Sequence, residues 1–82
     1  MANINNSRSS TIVAGTSSAD SIYNSGDYST INADDGNDTI NNNGYYSKIN
    51  AGSGNDTIYN SASYSTIDAG YGNDTIRNGS AD

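Results

Sequence analysis

An aliphatic residue returns every nine positions along the chain: Ile4, Val13, Ile22, Ile31, Ile40, Ile49, Ile58, Ile67 and Ile76. That interval excludes an amphipathic helix, which needs an apolar residue every three to four positions to keep one face buried. It suits short strands, because a segment such as Thr39-Ile40-Asn41 turns one side chain inward and two outward. The Gly, Asn and Ser residues between the aliphatics suit turns that need positive φ.

A second period, twice as long, contains the first. Ile31–Lys48, Ile49–Thr66 and Ile67–Asp82 align without gaps, and their two halves differ. One half carries Asp two places before the aliphatic (Asp20, Asp38, Asp56, Asp74), the other Ser (Ser29, Ser47, Ser65). Asn follows the first half at Asn24, Asn42, Asn60 and Asn78, with Asn6 in phase; Ala follows the second at Ala33, Ala51 and Ala69, with Gly15 in phase. The alternation predicts an all-β fold, a parallel β-solenoid or β-roll in which each coil is made of two nonapeptides and carries two short strands. Residues 1–82 then form a single repeat domain of nine nonapeptide half-turns, about 4.5 coils, above the roughly three repeats such an array needs. Coils would stack about 4.8 Å apart, so equivalent residues form ladders: Ile in the core, Ala and Asn at the inner corners, Tyr28, Tyr46 and Tyr64 along an outer edge.

Composition alone would place such a chain among disordered proteins, since only 32% of it is hydrophobic and it has no Phe, Trp or Pro. Order along the chain argues for folding instead. Nine Asp and no Glu against three basic residues give a net charge of −6, which leaves no basic patch for nucleic acid or an anionic membrane. The longest apolar run, Ile12 to Ala14, is too short for a transmembrane helix or a signal-peptide core. The absence of Cys and His removes disulfides, thiolate metal sites, the commonest general base and the usual zinc ligand. No constellation of nucleophile, base and orienting group can be assembled, so the chain is expected not to be an enzyme.

A cation is the expected partner. Carboxylates about 4.8 Å apart in a ladder would repel by roughly 3 kcal/mol per neighbouring pair at an effective dielectric near 20. A hard dication held by carboxylate and carbonyl oxygens compensates that repulsion, and calcium tolerates irregular oxygen cages better than magnesium does.

Ala51-Gly52-Ser53-Gly54-Asn55-Asp56-Thr57-Ile58-Tyr59 and Ala69-Gly70-Tyr71-Gly72-Asn73-Asp74-Thr75-Ile76-Arg77 resemble the nonapeptide G-G-x-G-x-D-x-U-x of hemolysin-type calcium-binding repeats, the RTX parallel β-roll. The resemblance covers the chain from about Gly15 onward. It implies calcium as ligand, with carboxylates from Asp38, Asp56 and Asp74 and carbonyl oxygens from Gly36, Gly52, Gly54, Gly70 and Gly72. It also implies a secreted or cell-surface location and folding coupled to export into calcium-rich surroundings. Two departures stand out. The first Asp half, Gly15-Thr16-Ser17-Ser18-Ala19-Asp20, lacks the second and third glycines, which leaves Asp20 a doubtful ligand; the Ser halves have no Asp at the ligand position. Ions are therefore expected on one edge only, between the turns of Asp56 and Asp74 and next between those of Asp38 and Asp56.

Other readings attach to the same residues. The Asp residues could cap their own turns without a metal. The Asn ladder is a structural device of stacked amides; exposed Tyr rows could bind sugar rings or surfaces, but flat aromatic ladders also stabilise neighbouring strands. Thr39, Thr57 and Thr75 form an outward row of the kind seen on ice-binding faces, but the adjoining row of Tyr23, Asn41, Tyr59 and Arg77 is too uneven for a flat match. The Asn-Asp-Thr triplets match glycosylation sequons that the repeat itself generates. A reading of different class is a metal-free structural solenoid, part of a stalk, matrix or fibre, whose coils stack end to end on other copies into oligomers or filaments.

Overall fold

The computed structural model describes residues 3–79. Nine strands follow one another with no helix: β1 (Asn3–Asn6), β2 (Ile12–Ala14), β3 (Ser21–Asn24), β4 (Thr30–Asn32), β5 (Thr39–Asn42), β6 (Lys48–Asn50), β7 (Thr57–Asn60), β8 (Thr66–Asp68) and β9 (Thr75–Asn78). Odd strands form one parallel sheet in the order β1-β3-β5-β7-β9, even strands a second in the order β2-β4-β6-β8. Each strand pairs with the next but one along the chain, Ile22 beside Ile40 beside Ile58 in one sheet and Ile31 beside Ile49 beside Ile67 in the other. The expected β-solenoid with two strands per coil is therefore the fold.

The core is thin. Ile22, Ile31, Ile40, Ile49 and Ile58 are almost fully enclosed, joined by Val13, Ala33 and Ala51, with Ile4, Ile67 and Ala69 partly buried against them. Each enclosed Ile contributes roughly 1.5–3 kcal/mol by leaving water. The rest of the interior is polar, which a solenoid tolerates only if each polar group finds a partner in the coil above or below.

The Asn corner meets that condition in full. Asn24 Nδ2 donates to Asn42 Oδ1 at 2.8 Å and to the Gly26 carbonyl at 3.1 Å. Its Oδ1 accepts from Asn6 Nδ2 at 2.7 Å and from the Gly26 N–H at 3.2 Å. Asn42 repeats the pattern toward Asn60 and Gly44. An amide offers donors and acceptors together, so one Asn can serve its own turn and the next coil.

The Ser residues close the same turn from its other end. Ser29 and Ser47 are buried, and their hydroxyls donate to the Gly26 and Gly44 carbonyls at 2.9 and 2.8 Å. The residue just before each Ser turns left-handed, with φ of 58° at Tyr28, 57° at Tyr46 and 62° at Tyr64. That conformation costs a non-glycine residue of order 1–2 kcal/mol. It sets the three rings in one stack, with centroids 5.0 and 4.8 Å apart and planes within 6° of parallel.

Candidate metal-binding edge

The Asp turns lie along the opposite edge. Asp20, Asp38 and Asp56 are each 1% exposed, and Asp74 in the last turn is less covered. The carboxylates of Asp38, Asp56 and Asp74 each reach along the solenoid to the preceding coil. The backbone N–H of Asp20 donates to Asp38 Oδ1, that of Asp38 to Asp56 Oδ1 and that of Asp56 to Asp74 Oδ1, each at 2.8 Å. Asp38, Asp56 and Asp74 therefore tie one coil to the next through Oδ1, whereas Asp20 caps its own turn, the arrangement expected of a metal-free Asp.

One N–H per coil cannot satisfy a carboxylate with two oxygens. Asp38 Oδ2 and Asp56 Oδ2 are buried with no hydrogen-bond partner. A carboxylate only accepts, so a ladder of Asp residues, unlike the Asn ladder, carries one surplus acceptor per coil. Burial pushes the Asp38 carboxyl up from 3.8 to about 6, opposed by the Asp20 N–H and assisted by the charges of Asp56, Asp20 and Asp34. Burial likewise raises Asp56, assisted by Asp74.

The first turn is built otherwise. The Thr16 N–H donates to Asp20 Oδ2 at 2.7 Å and the Thr16 hydroxyl to Asp20 Oδ1 at 2.8 Å. In later coils the place of Thr16 is taken by Asp34, Gly52 and Gly70, all left-handed with φ of 70°, 82° and 78°. None of these offers a hydroxyl. Nothing in the repeat motif points to Thr16; the signal for it in the sequence is a hydroxyl at the one turn that lacks both glycines.

Glycines line the same edge in two stacks, Gly36-Gly54-Gly72 and Gly52-Gly70, and all five have positive φ. A Cβ on Gly54 would strike the Gly36 carbonyl oxygen, and one on Gly72 the Gly54 carbonyl oxygen. These carbonyls thus face the next coil at a separation that admits no side chain. An outer Asn row adds bonds of the opposite sense: the Asn55 N–H donates to Asn37 Oδ1 at 2.7 Å and the Asn73 N–H to Asn55 Oδ1 at 2.9 Å. In the sequence Asn37, Asn55 and Asn73 stand out as parts of sequons, and their recurrence once per coil is the signal for this row.

Asp38, Asp56, Asp74 and the five glycines therefore share one edge. The available donors are carboxylate and carbonyl oxygens, the set that suits a hard cation, and the orphaned Oδ2 atoms are acceptors that such an ion would satisfy. No group of three or more acidic, His or Cys side chains gathers around one point among the described residues. Any ion held here would depend heavily on backbone oxygens.

Compared with protein-family models, with curated proteins and with solved structures, the chain matches none.

Proposed function

We propose that this chain is a calcium-binding β-solenoid module of RTX type, non-catalytic, which calcium folds or stabilises. The observation that carries this reading is the acceptor surplus of the Asp ladder, two buried carboxylate oxygens without a donor. Asp38, Asp56 and Asp74 would supply carboxylate oxygens and Gly36, Gly52, Gly54, Gly70 and Gly72 carbonyl oxygens. Asp20, already engaged by Thr16, stands apart. Binding free energy would add directly to a fold whose apolar core is little more than one Ile per strand. A secreted or cell-surface protein meets calcium at the millimolar levels that extracellular sites are tuned to.

Far-UV circular dichroism in chelator and across a calcium titration tests this, with Asp56→Ala and Asp74→Ala alongside. The β signal or its melting temperature is expected to rise with calcium in the wild type and to respond weakly in both variants. Full β structure in chelator, with the same melting temperature in calcium, would falsify the reading.

A second reading is favoured by one specific feature. Every residue of β9 is exposed, with Ile76 at 46%. A strand edge that the described residues leave uncovered, with an aliphatic beside it, is a template for another chain, which fits a structural solenoid that stacks end to end into oligomers or filaments.

A further inference from the structure

The outward row of the five-stranded sheet runs Asn5, Tyr23, Asn41, Tyr59, Arg77 in register. Tyr23 and Tyr59 stand two rungs apart, about 9.6 Å at ordinary strand spacing, and the short Asn41 between them leaves a notch. That notch is part of a depression of about 590 Å³ whose lining includes Tyr23, Asn41, Asn43, Tyr59, Ser61 and Arg77. Both tyrosines keep much of their surface in water, 50% and 42%. Asn43 Nδ2 donates to the Tyr23 hydroxyl at 3.1 Å, and the Ser61 hydroxyl bonds Asn43 Oδ1. One wall of the notch is therefore held in place before any ligand arrives, which lowers the ordering cost of binding.

Charge on this face has one sign. The strands of the five-stranded sheet contain no Asp, and Arg77 is the single charged residue among them, although the protein as a whole carries −6. Arg77 makes no ion pair among the described residues.

We propose that this face binds an acidic oligosaccharide: a pyranose ring enters the notch between Tyr23 and Tyr59, and the carboxylate of a neighbouring sugar meets Arg77. A guest midway between rings two rungs apart lies about 4.8 Å from each, close enough to pack on both. The C–H faces of a sugar pack on the negative faces of aromatic rings. Its hydroxyls find the amides of Asn41 and Asn43 and the hydroxyl of Ser61, and a guanidinium takes a carboxylate in paired hydrogen bonds. The site lies on the sheet face, apart from the Asp turns, and does not depend on their binding a metal.

The test is titration calorimetry with a galacturonic acid trimer and, as neutral probe, cellotriose. It is run at one fixed calcium concentration at which circular dichroism shows the β fold. Two variants accompany the wild type: Arg77→Gln, and Tyr59→Asn, which repeats on its own rung the residue that Asn41 places in the same row. The acidic trimer is expected to bind the wild type more tightly than cellotriose. Arg77→Gln should weaken the trimer about tenfold while leaving cellotriose unchanged, as expected for loss of one charge-assisted pair. Tyr59→Asn should weaken both probes. Absence of binding by either probe, an acidic preference that survives Arg77→Gln, or unchanged affinity in Tyr59→Asn overturns the proposal.

Discussion

Asp38 and Asn42 lie on the same stretch of chain, both buried, and meet opposite fates because one side chain only accepts hydrogen bonds. Asn42 finds partners for oxygen and nitrogen alike, while Asp38 keeps an orphaned Oδ2. The difference has a pH signature in the absence of metal. Asp38 in the folded chain has its pKa raised to about 6 from 3.8, and Asp56 is raised as well. Between those two values the folded state holds more protons than the unfolded state, so stability falls as pH rises through that window and is greatest below the unfolded value. Thermal melts in chelator are expected to show a higher midpoint at about pH 4 than at about pH 7.5, with the dependence reduced in Asp38→Asn. A midpoint that rises with pH in chelator would show that the carboxyls are not held protonated by burial.

At the scale of the element, each turn sets a left-handed residue against a gain from stacking. Tyr46 offsets its φ of 57° with two ring contacts, to Tyr28 and to Tyr64, whereas Tyr64 has one. Replacement by Gly relieves the backbone by about 1 kcal/mol but forfeits about 0.5–1.5 kcal/mol per stacked pair. Tyr64→Gly should therefore leave the urea midpoint nearly unchanged, and Tyr46→Gly should lower it by an amount corresponding to roughly 1 kcal/mol. If the two variants shift the midpoint equally, the stack contributes little and the rings are merely aligned by the repeat.

On the scale of the whole molecule, every strand is paired with the next but one along the chain, so stability is close to a sum of coils and their interfaces. The last described coil is weakly covered: β9 is exposed throughout, and Ile67 of β8 is only partly buried while Ile31 and Ile49 of the same row are enclosed. If copies stack at this edge, static light scattering should show mass increasing with protein concentration. Ile76→Lys, which places a charge on the open edge, should hold the protein monomeric. A strict monomer at high concentration in the wild type removes the end-to-end reading.

The nine-residue return of Ile and Val was enough to determine strands rather than helices, and the alternation of Asp and Ser halves was enough to sort those strands into two parallel sheets that advance one coil for every two nonapeptides. Both are one-dimensional facts, because a solenoid repeats in space with the period at which its sequence repeats. The clustering of Asp38, Asp56 and Asp74 with Gly36, Gly52, Gly54, Gly70 and Gly72 on one edge was legible for the same reason. Only the tertiary structure decided which atoms on that edge are satisfied. Whether Asp reaches its own turn or the N–H of the preceding coil depends on the direction its carboxylate takes inside the stack, and identical periods allow either. The same holds for Thr16, whose two bonds to Asp20 require a turn without the left-handed residue found in the later coils. It holds too for the notch over Asn41, which exists because residues one coil apart in sequence become neighbours across a rung, where a long side chain beside a short one leaves a space.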